Sequence, residues 1–296
     1  MPELPDITVY VECLATKLQG DVLQRLRLLN PFLLRTALPP IGSVEGRHVL
    51  GVERLGKRVV IALEGELFLV LHLMIAGRLK WLAAGAKAPG GKATLALFEF
   101  GGGALAFTEA GSARTASLHL LQGREALAAA DPGGIEVMTC DAADFAARLR
   151  AENHTLKRSL TNAHLFSGIG GAYADEILHR AKLSPILLTR KLDAAQIVTL
   201  LAAARSVLAA WTQRLRGEAA AKGWPDQVTA FRTQMAVHGR YGQPCPACAA
   251  PVQRIVHANH ETNYCARCQT GGKLLADRAL STLLKASWPK HIDEIE

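Results

Sequence analysis

Four of the six cysteines fall into one pattern: Cys245-Pro-Ala-Cys248, sixteen residues, then Cys265-Ala-Arg-Cys268. Two CxxC knuckles at that separation let four thiolates close a tetrahedron around one Zn2+, and the intervening stretch suits a short hairpin. Four sulfur ligands leave no open coordination position, so such a zinc is structural. This marks the C-terminal region as a zinc finger needing little apolar core of its own. Arg240, Arg254, His257, His260 and Arg267 lie in or beside the finger, either as donors to phosphates or as the surface of a plain staple. Cys13 and Cys140 stand alone and are expected to be buried.

Thiolates of this kind imply a reducing compartment. The opening Met-Pro-Glu-Leu-Pro-Asp has neither a basic n-region nor an apolar core. No run of about eighteen residues is uninterruptedly apolar; 194–211 comes nearest, with Gln196, Arg205 and Ser206 inside it. A cytoplasmic protein with no membrane partner is expected. The chain has 296 residues, 49% hydrophobic and 20% charged, enough for packed cores and unlike a disordered chain. Its formal charge is +8. Residues 1–150 hold 16 basic and 15 acidic side chains, a net +1, and 151–296 hold 18 and 11, a net +7. A polyanionic partner would therefore draw mainly on the second half.

The apolar pattern changes along the chain. Ile7, Val11, Leu14 and Leu18 form one stripe at helical spacing over 5–18, with Pro5 suited to a first turn and Gly20 to a stop. Between 22 and about 120, short Val-, Leu-, Ile- and Phe-rich runs at 58–63, 66–73, 78–82, 93–100 and 104–108 are separated by glycines, as in an antiparallel sandwich or barrel. From about 141 helices return, at 141–151, 155–162, 172–181 and 193–215, with a further short piece at 219–222. Asp131-Pro-Gly-Gly134 reads as a linker, and Ser167-Gly-Ile-Gly-Gly171 breaks two helical stretches. The expected fold is α+β and multidomain. Residues 1–130 would form an N-terminal β-sandwich with flanking helices and 131–228 a helical domain. A zinc finger hairpin would follow at 229–270, then a tail at 271–296.

Met1 precedes a small residue, and its removal would leave Pro2 with a secondary amine beside Glu3. An α-amine titrates near pH 8, below lysine, so part of it is unprotonated near neutrality and able to form a Schiff base. Taken with this start, Leu55-Gly-Lys57-Arg58, His72-Leu-Met-Ile-Ala-Gly77, the glycine-rich break and Val237-His-Gly-Arg-Tyr-Gly-Gln-Pro-Cys245 complete a combination. Together they resemble the formamidopyrimidine-DNA glycosylase and endonuclease VIII family of base-excision repair enzymes, from residue 2 to about 270.

The resemblance implies a β-sandwich, a helix–two-turns–helix domain and a zinc finger, with double-stranded DNA between the two halves and a damaged base flipped out of the stack. It implies that Pro2 attacks C1′ of the sugar, that Glu3 assists ring opening, and that Lys57 contacts the backbone and supports strand cleavage. Glycosylase and AP lyase activity would share one covalent intermediate. The backbone N–H groups at Gly170 and Gly171 would hold a phosphate at the next helix start, with Lys157 as a second contact. The implied protein is bacterial, nucleoid-associated and monomeric.

Several positions depart from the family pattern. Met74 and Ile75 stand where purine-type members carry a Met wedge, and both are candidates either for unstacking a base step or for the core. The Thr-Asp-Pro-Arg-Arg-Phe-Gly segment is replaced by Thr108-Glu-Ala-Gly-Ser-Ala-Arg-Thr-Ala116, leaving Arg114 as the one candidate arginine and no aromatic wedge. Oxidised pyrimidines or ring-opened purines are then at least as expected as 8-oxoguanine. Gly171 takes the place of an Asn and His260 that of an Arg, which predicts a weaker or pH-dependent phosphate grip and less second (δ) elimination. Residues 269–296 extend past the usual end, with Leu274, Leu275, Leu280, Leu283 and Leu284 near helical spacing. That tail either packs back on the body or meets a partner. Two other readings compete: a DNA-binding protein of this fold with weakened catalysis, and a zinc-ribbon protein of transcription or translation. The second leaves the Pro-Glu start and Lys57 unexplained.

Overall fold

The computed structural model describes residues 1–87, 89–111, 113–226, 228, 232–257, 260–276, 282–283, 287 and 289–295, without the side chains of His257 and His260. The chain divides into two compact units, 1–132 with 211–229, and 133–210 with 230–296.

The first unit opens with α1 (Leu4–Leu18). A reciprocal capping box starts it: Glu3 N–H donates to Asp6 Oδ2 at 3.0 Å, and the Glu3 side chain accepts from the Asp6 backbone. Ile7, Leu14 and Leu18 of the apolar stripe are fully buried. Eight antiparallel strands follow: β1 (Val22–Leu28), β2 (Arg47–Leu55), β3 (Arg58–Leu63), β4 (Leu67–His72), β5 (Gly77–Ala83), β6 (Thr94–Phe100), β7 (Gly103–Glu109) and β8 (Ser117–Gln122). Their order is β5-β7-β6-β1-β2-β3-β4-β8. The β1–β2 join is short, Val22↔His48 and Leu23↔Arg47, so two four-stranded halves enclose one core. Leu23, Leu79, Phe98 and Phe107 come from one half, and Ile61, Leu69, Leu71 and Leu118 from the other. Each such side chain contributes about 1.5–3 kcal/mol of burial. A short helix, α2 (Arg124–Ala129), packs Leu127 on the outer face of β3 and β4, against Val60, Phe68 and Val70.

Trp224 completes this core. Its indole lies 5.8 Å from Tyr10 and 6.4 Å from Trp81, ring centre to ring centre, and its Nε1–H donates to Leu79 O at 2.9 Å.

The second unit contains α3 (Ala142–Ala151), α4 (Leu156–Thr161), α5 (Gly171–Ala181) and the first part of α6 (Ala194–Lys222). Asp141 caps α3 by accepting from Asp144 N at 2.7 Å. α6 is one continuous helix, merging the two pieces expected at 193–215 and 219–222. By length and composition it is apolar enough to cross a membrane, yet Leu200, Ala204 and Leu208 are fully buried within the protein. The hairpin β9 (Gln253–His257) and β10 (His260–Tyr264) leads into α7 (Ala266–Thr270).

The tail returns to this hairpin. Leu274, Leu275 and Ile292 join a core with Val237, Val252 and Tyr264. Leu275 N donates to Tyr264 Oη at 2.8 Å, and Ile292 N to Gly272 O at 2.8 Å. Gly272 has φ +90°, a conformation that strains any other residue, and a Cβ there would also displace the His291 ring. Leu283 is 76% exposed, and Leu280 and Leu284 lie outside the described residues. The two solitary cysteines correct the expectation of burial. Cys13 and Cys140 are only half-buried, Cys13 beside Ala219 and Cys140 with its thiol toward Val137 O at 3.8 Å.

Candidate active site

The start of α1 places Pro2 and Glu3 inside the first unit, with Glu3 only 3% exposed. Its carboxylate sits at the positive end of the helix, where exposed backbone N–H groups favour an anion. The Met1 amine is pulled below its ordinary value, chiefly by burial, with Arg78 and Lys57 acting in the same direction and Glu3 and Asp6 opposing them. Lys57 occupies the two-residue turn between β2 and β3, after Gly56 at φ +61°. Burial lowers its pKa and Glu3 opposes the shift. Glu3 and Lys57, which the sequence singled out, therefore lie within electrostatic reach of each other and of the Met1 amine that precedes Pro2.

His72 joins them. It pairs across the sheet with Arg58 and Ser117. Burial first, then Arg58, Lys57 and His119, push its pKa down to about 4. His119 is lowered too, by burial and by Arg58 and Arg35. The motif around residue 72 drew attention to Met74 and Ile75. The electrostatic part of His72 needed the β3–β4 register, which no local pattern gives.

The turn after β4 is tightly built. Gly77 N donates to Leu73 O at 2.8 Å, and a Cβ on Gly77 would lie 2.2 Å from that oxygen. Met74 adopts φ +53° and is half-buried, while Ile75 is 70% exposed. On the 110–116 loop, Arg114 is half-buried. Buried Glu109 ties that loop down, accepting from Thr115 N at 3.0 Å, Thr115 Oγ1 at 3.1 Å and Ala116 N at 3.2 Å.

In the second unit, Gly170 precedes α5 with no side-chain cap, and Gly171 is its first helical residue, exposed and with no atom within 4 Å of a Cβ built there. Lys157 is already engaged: its ammonium pairs with the fully buried Asp175 carboxylate and reaches Glu261 O at 3.4 Å. The other Asp175 oxygen meets His238 Nδ1 at 2.8 Å. Glu176 accepts from the backbone N–H groups of Ala236, Val237 and His238 at 2.7, 2.9 and 3.0 Å. Asn263 Oδ1 accepts from Gly239 N at 2.8 Å. Asp175, Glu176, His238 and Asn263 thus weld α5 to the finger. The sequence reading missed all four because their partners lie about 60 or more positions away, or across the hairpin. The backbone of His260 pairs with His257, but its side chain lies outside the described residues.

The four cysteines Cys245, Cys248, Cys265 and Cys268 converge, with all Sγ atoms within 4.8 Å of one another. Cys248 and Cys265 are 3.4 Å apart, and Cys245 and Cys268 4.0 Å. A tetrahedron with Zn–S bonds of about 2.3 Å requires sulfurs about 3.8 Å apart, so the donor set fits. His179 Nε2 lies 3.2 Å from Cys245 Sγ, as an outer-shell partner for that thiolate.

Comparison with known proteins agrees in all three regions. Residues 1–114 match the formamidopyrimidine-DNA glycosylase N-terminal domain, 130–217 the formamidopyrimidine-DNA glycosylase H2TH domain, and 242–271 the zinc finger found in FPG and IleRS. The chain belongs to the formamidopyrimidine-DNA glycosylase family. It is 34% identical to the formamidopyrimidine-DNA glycosylase of Thermus thermophilus over 288 residues, 92% of this chain and all of that protein. A Mycobacterium tuberculosis formamidopyrimidine-DNA glycosylase-like protein is 40% identical over 154 residues, 52% of this chain and 93% of that protein. The crystal structure of MutM (Fpg) from T. thermophilus superposes with a TM-score of 0.73 at 31% identity, covering 90% of this chain and 98% of that one. The Lactococcus lactis enzyme bound to AP-site DNA shares the fold, with a TM-score of 0.78 at 23% identity over 90% and 99% of the two chains. The fold is the family's: a β-sandwich domain, a helical H2TH region and a four-cysteine finger with its hairpin. As a family member the chain is a DNA glycosylase of base-excision repair.

Proposed function

We propose that the protein is a bifunctional DNA glycosylase and AP lyase, acting on duplex DNA that carries damaged bases or abasic sites through a Schiff base at Pro2. The observation that carries this reading is the convergence of Glu3 and Lys57 on the N-terminal segment, where burial holds the Met1 amine and the Lys57 side chain below their ordinary pKa values. With Met1 removed, the Pro2 nitrogen forms a bond to C1′ as the bond from C1′ to the base breaks and the base leaves with a proton. Glu3 supplies the proton that lets the ring oxygen O4′ leave C1′, giving an iminium. The iminium acidifies C2′, a base takes that proton, and the 3′ phosphate departs by elimination. Lys57 stabilises the negative charge on the departing phosphate. A Zn2+ held by Cys245, Cys248, Cys265 and Cys268 supports the finger and takes no part in these steps.

Other parts of the site carry the DNA. Ile75, exposed on its rigid turn, fills the space left by the flipped base, with Met74 beneath it. Arg114 faces the opposite strand, and the start of α5 at Gly170 and Gly171 receives a phosphate. Lys157 acts through Asp175 and supports the finger.

Borohydride trapping on a duplex with one abasic site tests the reading. Wild-type protein lacking Met1, verified by intact mass, should form a covalent adduct. Pro2→Gly should change its yield, and Glu3→Gln should block base excision. Wild-type protein that binds the duplex yet never forms an adduct would instead be a binding module of this fold. Affinity should fall steeply with salt, because phosphate contacts dominate.

A further inference from the structure

We propose that Arg78 is a positioning residue for this reaction, holding the turn that presents Ile75. The proposal rests on the Schiff-base reading above. Arg78 is the second residue of β5 and follows Gly77 directly. Its Nη1 donates to Ile75 O at 3.0 Å and to Gly77 O at 2.6 Å. One guanidinium thus bridges two carbonyls of the 73–77 turn, which also holds Met74 at φ +53° and a glycine that no other residue can replace. A 70%-exposed isoleucine gains nothing from burial to fix it there. A charge-assisted hydrogen bond to its own carbonyl, with a second to Gly77 O, supplies that order instead.

Arg78 is itself anchored. Thr108 Oγ1 donates to Arg78 O at 3.3 Å, and the next residue, Leu79, meets Tyr10 Oη and Trp224 Nε1 through its carbonyl. Tyr10 belongs to α1, whose first turn carries Glu3 and Asp6. The wedge turn and the nucleophile therefore hang from one rigid joint.

Arg78→Gln and Arg78→Lys test this role. In Arg78→Gln, KM for the abasic duplex should rise about tenfold, the loss expected for one charge-assisted hydrogen bond. Arg78→Lys keeps the charge but not the planar fork, so KM should rise there too. Ile75→Ala should raise KM in wild type and do little in Arg78→Lys, because both act through one element. Thermal unfolding of each variant shows that it is folded. An unchanged KM in Arg78→Gln, or additive KM effects of Ile75→Ala and Arg78→Lys, would overturn the proposal. A wild type that forms no adduct at any pH sinks the Schiff-base reading instead. The non-additivity of the two substitutions, then read in Kd for the duplex, still decides whether Arg78 positions Ile75.

Discussion

The site of the first unit and the finger of the second are held in place by different physics. The first encloses its site with a continuous apolar core: Ile7, Leu14, Leu69, Leu71, Phe98 and Phe107 are fully buried, and its polar groups sit at the edge of that core. The second holds its finger with buried charge and sulfur: Asp175 and Glu176 inside α5, four thiolates, and a tail that adds Leu274, Leu275 and Ile292. Apolar cores lose stability in increments as side chains are trimmed. A polar and metal-centred weld fails as a whole, because each remaining partner is left buried and unsatisfied. Steadiness thus sits where the covalent chemistry is proposed, and cooperativity where the phosphate grip is.

The strongest way to break that contrast is to remove the metal. Chelation under reducing conditions should abolish amide-exchange protection over 237–257 and 260–276 while leaving β3, β4 and β8 protected. Structural zinc contributes on the order of 10 kcal/mol to folding of such units. Retained protection in the finger would show that the tail and the α5 carboxylates suffice without zinc.

Next in size is Asp175→Ala, which strips Lys157 of its counter-charge and His238 of its hydrogen-bond partner. Its cost should be about 3–5 kcal/mol, seen as loosening of the finger in proteolysis. A cost under about 1 kcal/mol would mean that water replaces the carboxylate, and the weld reading would fail.

A smaller test lies in the first unit. His72 has a folded pKa near 4 against an ordinary 6.5. Between those values the unfolded chain takes up a proton that the folded chain refuses. Stability is therefore full above about pH 6.5 and declines as pH falls toward 4, by at most ~1.4 kcal/mol per pH unit. His72→Asn should flatten the acid side of the melting curve. An unchanged slope would assign the acid sensitivity to other groups.

Smallest is Gly171→Asn. Nothing lies within 4 Å of a Cβ there, so the amide fits without strain and adds a donor beside the α5 N-terminus. Duplex affinity should improve about threefold, with the melting temperature unmoved.

How much of this was legible in the chain differs by element. α1 was readable because a four-residue apolar repeat and a proline mark it locally, and α5 because glycines precede it. β3 was read to the residue, and β4 to β7 to within one or two. β1, with Arg25 and Arg27 between its leucines, and β8, interrupted by His119, show mixed patterns that only their neighbours in the sheet resolve. Cys13 and Cys140 were expected to be buried, and both are half-exposed. Their exposure depends on what packs beside them, which short-range periodicity does not report.

The sequence by itself determined which four cysteines converge, the β-then-α order, and the choice of Pro2, Glu3 and Lys57 as the residues of the proposed reaction. Each is written in residue type and spacing, over distances that chain stereochemistry fixes. Only the tertiary structure decided that Lys57 lies within reach of Glu3, that Arg78 holds the turn of Ile75, that His72 is kept neutral, that Lys157 is spent on Asp175, and that the tail closes over Gly272. These depend on desolvation and on contacts between residues tens to a hundred positions apart, where pairing is settled by packing and leaves no local trace.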